Sequence, residues 1–173
     1  MPIATASQTI GPYWHLIEDP SWADLTRLGA EGERITLSGT VTDGDGVPFS
    51  DVCVELWQAD PAADDRFPGF GRSRTDAAGV YRFTTLKPGP VAGRGNAIQA
   101  PHLALWVLGR GLMRGLATRV YFPGEPRNET DPVLGLVEDP ARRATLVAAA
   151  AGPGAWRFDI RLQGAGETVF FEV

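Results

Sequence analysis

The sequence is short of the residues from which covalent and metal frameworks are built. It has one cysteine, Cys53, two histidines, His15 and His102, and a single lysine, Lys87, in 173 residues. One cysteine excludes an internal disulfide, which fits a reducing compartment, and a cytoplasmic location is the expectation. Cys53 lies in the apolar run "DVCVELW" and reads as a buried, inert thiol. Two histidines leave little for a metal, because such a site needs several convergent donors. His102 with Tyr81 and Tyr121 is conceivable for Fe(III), but both tyrosines sit inside predicted strands and their spacing matches no recognised ligand set. Long apolar runs are also missing. None approaches the length of about 18 residues that spans a bilayer, so no membrane segment is expected. The start, "MPIATASQTIGPYW", has no basic cluster and no apolar core, so no secretory signal is read there. Basic charge is scarce as well: 16 Lys and Arg against 21 Asp and Glu give a net charge of -5, which argues against nucleic-acid binding.

What the sequence has in abundance is alternation. A length of 173 residues suits one domain able to bury a sizeable core. Residues 1–33 lack sustained periodicity and read as an extended N-terminal arm with short helical turns, anchored by Tyr13, Trp14 and Trp22. From Arg34 the period becomes two. "RITLSGTV" puts Ile35, Leu37 and Val41 on one face; "DGDG" (43–46) marks a hairpin turn, and "DVCVELW" returns. "GVYRFTTL" follows the turn "TDAAG". "HLALWVLG" is apolar on both faces and predicts a central, fully buried strand. "GLATRVYF" sets Leu116, Thr118, Val120 and Phe122 opposite Arg119 and Tyr121. "AWRFDIRLQG" directs Trp156, Phe158, Ile160 and Leu162 inward, and "ETVFFEV" closes the chain. One helix interrupts, with Asp139 as N-cap, Pro140 at the first position, an alanine-rich body and Gly152-Pro153 as its stop. The fold class is therefore all-β: a β-sandwich core over 34–173, an extended N-terminal arm and one short helix.

Few segments carry chemistry of their own. "GRGNAIQ" (93–99) precedes no helix N-terminus and reads as a loop, not a phosphate cradle. Asp64 and Asp65 are adjacent and make a poor catalytic pair. The stretch "KPGPVAGRGNAIQAPHLALW" (87–106) reads as a loop feeding a buried strand, with His102 at the entrance.

Taken in order, "ELWQAD", "GRSRTDAAGVYRFTTLKPGP", "APHLALWV", "RVYFPGEP", "DPVLGLV", "ARRATLVAA" and "WRFDIRLQGAGETVFFEV" resemble the intradiol ring-cleavage dioxygenases, and "SQTIGPYW" strengthens the likeness. Catalytic members of that family hold one non-haem Fe(III) through two tyrosines and two histidines. The resemblance places the first tyrosine in "WQADPAADDRF", where Asp65 and Phe67 stand nearest, and the second at Val91. It places the H-x-H pair at His102 and Ala104. Only His102 survives, so the resemblance implies a vestigial site, no metal in this chain, and Fe(III) in a homologous catalytic beta subunit. The implied role is that of a non-catalytic alpha-type subunit of a heteromeric enzyme that cleaves protocatechuate with O2 to 3-carboxy-cis,cis-muconate. Thr9, Gly11, Pro12, Tyr13 and Arg119 match positions expected to complete the partner's substrate pocket. Two rival readings stand beside it: a self-sufficient dioxygenase with an altered iron site, and a non-enzymatic β-sandwich assembly module.

Overall fold

In the computed structural model, residues 18–172 are described. Thr9, Gly11, Pro12 and Tyr13 lie outside them. Two sheets pack face to face around one core. The first is built from β1 (Arg34–Thr42), flanked by β4 (Val80–Leu86) on one side and by β10 (Ala155–Arg157) and β11 (Ile160–Arg161) on the other, with β9 (Ala149–Gly152) beyond β10. The second runs β3 (Phe70–Arg74), β2 (Val52–Trp57), β7 (His102–Gly109), β8 (Leu116–Tyr121). A two-stranded ribbon, β5 (Val91–Ala92) with β6 (Ile98–Gln99), stands apart. The core between the sheets is filled by Leu37, Val54, Leu56, Phe83, Leu103, Val107, Val120 and Ile160, all 0% exposed. These are the positions that the period-two pattern directs inward. Among the described residues no helix is long and apolar enough to cross a membrane.

The structure departs from the sequence reading at six places. The "DGDG" turn forms, closed by Gly46 N–H to Asp43 O at 3.2 Å. It does not make a β1–β2 hairpin: the chain crosses to the other sheet after one bridge, Thr42 to Pro48.

Strand β3 was hidden in the sequence because the side chains it turns inward are Gly71 and Ser73, which give no apolar signal. Gly71 is needed there: a Cβ would come within 2.4 Å of Leu25 and 2.6 Å of the Trp22 carbonyl, both on the segment that covers the strand.

The expected run "AWRFDIRLQG" splits into β10 and β11. Phe158 turns its carbonyl toward Gly39, where a Cβ would stand 1.8 Å from that oxygen, and the Tyr81 hydroxyl donates to it at 2.6 Å. The Asp159 carboxylate takes over the ladder by accepting from Thr40 N–H at 2.9 Å. The final segment "ETVFFEV" forms only a bridge, Phe171 to Ala117.

The alanine-rich helix is one turn long. Asp139 caps it, accepting from Ala141 N–H at 2.8 Å, and Pro140 opens it, but it ends at Ala144. Backbone bonds from Tyr121 N–H to Leu146 O at 2.8 Å and from Ala148 N–H to Tyr121 O at 2.9 Å draw the next residues onto β8. The remaining alanines then join β10 as β9. Tertiary pairing overrides alanine's helix propensity, which is worth only tenths of a kcal/mol per residue.

Finally, "GRGNAIQ" forms the tip and return strand of the β5–β6 ribbon, with Gly93 N–H to Ala97 O at 2.8 Å, and not an open loop.

Candidate functional site

Strand β7 is central in its sheet, as its sequence predicts, but only one of its faces is sealed. Leu103, Leu105 and Val107 point into the core, while Trp106 is 37% exposed on the other side. The strand register assembles that outer face in rows. Phe70, Trp57, Ala104 and Arg119 form one row, and Arg72, Glu55, Trp106 and Ala117 the next. Arg72 pairs with Glu55 and lies over the rings of Trp22 and Phe70 at 5.7 and 6.0 Å. Gly115 leaves room for Trp106: a Cβ there would sit 1.8 Å from the indole nitrogen. The result is an open cleft of about 970 Å³, walled by Trp57, Phe70 and Trp106 and floored by Ala104, Ala117 and Arg119. Gln99 and Arg94 of the ribbon, Leu136 and the C-terminal Phe171 complete its rim.

At one end of this cleft lies a polar cluster. Arg119 Nη1 donates to Gln99 Oε1 at 2.6 Å and approaches the Tyr121 hydroxyl at 3.4 Å. Its guanidinium is thus engaged within its own chain. The Tyr121 hydroxyl in turn donates to Asp131 Oδ1 at 3.1 Å. Asp131 is 2% exposed and is saturated by donors: Ala100 N–H at 2.7 Å, Val133 N–H at 2.9 Å and Leu134 N–H at 2.7 Å. It anchors the segment 131–137 over the end of β8, where Tyr121, Leu134 and Leu146 form a second small core. The sequence reading missed Asp131. Its only signal is an Asx-turn pattern, an acid ahead of Pro132 and an apolar run.

His102 packs its ring 5.7 Å from that of Tyr121, and its Nδ1 lies 2.8 Å from Ala100 O. Burial pushes its pKa below the ordinary imidazole value, the backbone bond and Asp131 oppose this, and Arg119 adds to it. Burial also drives the Tyr121 phenol far up, against the pull of Arg119. Cys53 is a buried thiol pushed up to about 12, inert as expected.

Of the four positions that the family likeness marks, the structure gathers three. Val91 pairs with Gln99, Ala104 with Arg119, and His102 with Tyr121, so all three border the Arg119 cluster. Asp65 is exposed in the 58–69 loop, and its neighbour Asp64 is spent on turn geometry, accepting from Phe67 N–H at 2.7 Å. Phe67 is buried in the core. These residues do not fit a ferric site with four donors: Val91 and Ala104 are hydrocarbon, and Tyr81 is committed to the Phe158 carbonyl. Among the described residues no three His, Cys, Asp or Glu side chains converge.

A family model described as "Dioxygenase" matches residues 18–164. The chain belongs to the intradiol dioxygenase family. It is 43% identical to the protocatechuate 3,4-dioxygenase alpha chain of Burkholderia cepacia, over 98% of this chain and 97% of that one. It is 40% identical to the alpha chain of Pseudomonas putida, over 97% and 96%. The beta chain of the Burkholderia cepacia enzyme is 35% identical, over 94% of this chain and 77% of its own length. Among solved structures, the dioxygenase domain of a dioxygenase–carbohydrate-binding fusion from Streptomyces sp. SirexAA-E superposes with a TM-score of 0.64 at 30% identity, covering 94% of this chain and 97% of that one.

Proposed function

We propose that this chain is the iron-free alpha subunit of a heteromeric protocatechuate 3,4-dioxygenase, and that it completes the substrate pocket of a homologous beta subunit. The observation that carries this reading is the donor set at the family's ligand positions, one imidazole with two hydrocarbon side chains, in a fold that is otherwise intact. The names of the related alpha and beta chains support a hetero-oligomer. The exposed aromatic face of Trp57, Phe70 and Trp106 is of a kind that a soluble monomer rarely leaves uncovered.

In the assembled enzyme, the partner's Fe(III) supplies the activation of the catecholate toward O2. This chain supplies walls and field. Thr9, Gly11, Pro12 and Tyr13 are the arm positions proposed to reach the partner's substrate. Arg119, bound to Gln99 in its own cleft, acts on that substrate as a fixed positive charge that draws in the carboxylate, an effect that salt screens over about 10 Å. Ring opening would break the bond between the two hydroxyl-bearing carbons and leave one oxygen atom of O2 on each, giving the two new carboxylates of 3-carboxy-cis,cis-muconate.

The test is reconstitution. The isolated chain is expected to bind no stoichiometric iron and to show no turnover, and activity is expected when the beta chain is added. About one tightly held iron per isolated chain, with tyrosinate-to-iron absorption, establishes the self-sufficient reading instead. A chain indifferent to any beta partner establishes the assembly-module reading.

A further inference from the structure

We propose that the segment 131–137 is a rigid docking knob for the beta-type subunit, with Leu136 as its anchoring side chain and Asp131 as the residue that positions it. The inference rests on the proposed function and names a surface through which the two chains meet. Its first observation is a contrast within one turn. Leu134 is 2% exposed and fills the small core with Tyr121 and Leu146. Leu136, two residues on, is 74% exposed, the highest value of any large apolar side chain among the described residues. The backbone between them is fixed. The Asp131 carboxylate accepts from Val133 N–H at 2.9 Å and Leu134 N–H at 2.7 Å, and its carbonyl accepts from Gly135 N–H at 2.9 Å. Leu136 N–H donates to Val133 O at 3.1 Å. Arg143 closes the far end, with Nε and Nη2 donating to Val137 O at 3.0 and 2.8 Å. A buried carboxylate and a guanidinium thus hold an exposed leucine still. For binding, this removes the ordering cost that a mobile loop incurs on contact.

The second observation is the company that the knob keeps. Eight large apolar side chains are exposed among the described residues, and four of them, Trp57, Phe70, Trp106 and Leu136, line the one cleft. Leu136 therefore extends the aromatic face into a single patch, of the kind that marks an interface. Charge decides the occupant. Arg94 and Arg119 border the patch, and neither makes an ion pair among the described residues. Two copies of this chain meeting by this face across a two-fold axis would set these arginines against those of the mate inside an apolar contact, which like charges oppose. The occupant is a chain of different sequence, the beta-type subunit, offering an apolar pocket for a branched side chain and an acidic rim opposite Arg94.

The experiment follows exchange of a fluorescently labelled beta chain out of and into the co-expressed, purified heteromer. Leu136→Ala is expected to speed release of the beta chain by about tenfold or more, the effect of a leucine side chain no longer removed from water, and to leave the unfolding midpoint of the chain unchanged. Arg94→Glu is expected to slow reassociation, an effect that fades in high salt. Asp131→Asn is expected to speed release too, and to add nothing in a Leu136→Ala background, because it acts through the knob. Leu28→Ala, at a side chain 53% exposed but outside the cleft, is the control and is expected to change nothing. Unchanged release in Leu136→Ala overturns the proposal even if Asp131→Asn fails to fold, and so does equal acceleration by Leu28→Ala. Additive losses in the double variant overturn the positioning role of Asp131. A wild-type chain that pairs with itself, and is split by Leu136→Ala, assigns the face to a second copy and overturns the proposal as well. Failure of the two wild-type chains to assemble at all is a different result: it sinks the proposed function, and the knob with it.

Discussion

Strands β2, β7 and β8 have two faces made by the same alternation, and the faces have different jobs. On the inner one, Val54, Leu56, Leu103 and Val120 are 0% exposed and meet the opposite sheet. On the outer one, aromatic rings alternate with small residues and charges, and Trp57 is 53% exposed. Close packing on the inner face leaves no freedom: each side chain is fixed by its neighbours, and removal of one leaves a void. The outer face is bordered by loops, the 91–99 ribbon and the 131–137 segment, and its side chains can be exchanged at low structural cost. The sandwich can therefore carry hydrocarbon side chains at Val91 and Ala104, the positions that the family likeness marks, without unfolding. The core is insulated from the chemistry by a single layer of sheet.

This contrast can be broken by substitution. The largest effect is expected for Leu103→Ala on the inner face, a loss of about 3 kcal/mol in unfolding free energy read from the denaturant midpoint. Trp106→Ala, on the outer face of the same strand, is expected to cost less than about 2 kcal/mol, because the ring is already partly in water. Its stronger consequence is weaker retention of the beta partner in co-purification. Equal losses at the two sites would show that the outer face is as sealed as the inner. Glu55→Gln is expected to cost about 1 kcal/mol by releasing Arg72, with the difference shrinking in high salt. The smallest effect concerns pH. Burial holds His102 below its ordinary value of 6.5, so the unfolded chain takes up this proton before the folded one does. The contribution of His102 is fully present above that value and is lost as the pH falls below it. His102→Leu should flatten this part of the stability profile; an unchanged profile would mean that the imidazole is solvated.

The architecture was legible wherever burial follows the period of two. The inward stripes of β1, β2 and β8 emerge in the structure as read from the sequence. Legibility failed where partners came from elsewhere in the chain. Nothing local tells that Ala149–Gly152 will leave a helix to pair with β10, or that Gly71 and Ser73 form a strand under Trp22 and Leu25. The full burial read for β7 was half right, because apolar composition cannot distinguish a sealed face from one reserved for a ligand or partner. At the site, that Val91 and Ala104 offer no donor is plain from their chemistry; that they stand at ligand positions rests on the family likeness alone. The cleft was not legible: it needs Arg119 and Tyr121 of one strand brought to Gln99 of another and to Asp131 of a loop, and only the register does that.

The parallel pairing of β1 with β10 and β11 also sets a schedule for synthesis. Residues 34–42 cannot complete their sheet until residues 155–161 have been made. Their contacts are among the most distant in the chain, and closing so long a loop comes late and slowly. At about 5–20 residues per second, a ribosome holds one edge of β1 open for several seconds before the strands that pair with it emerge. The nascent chain spends that interval with one side of its first strand unpaired, and chaperone contact during translation is expected to centre on that strand.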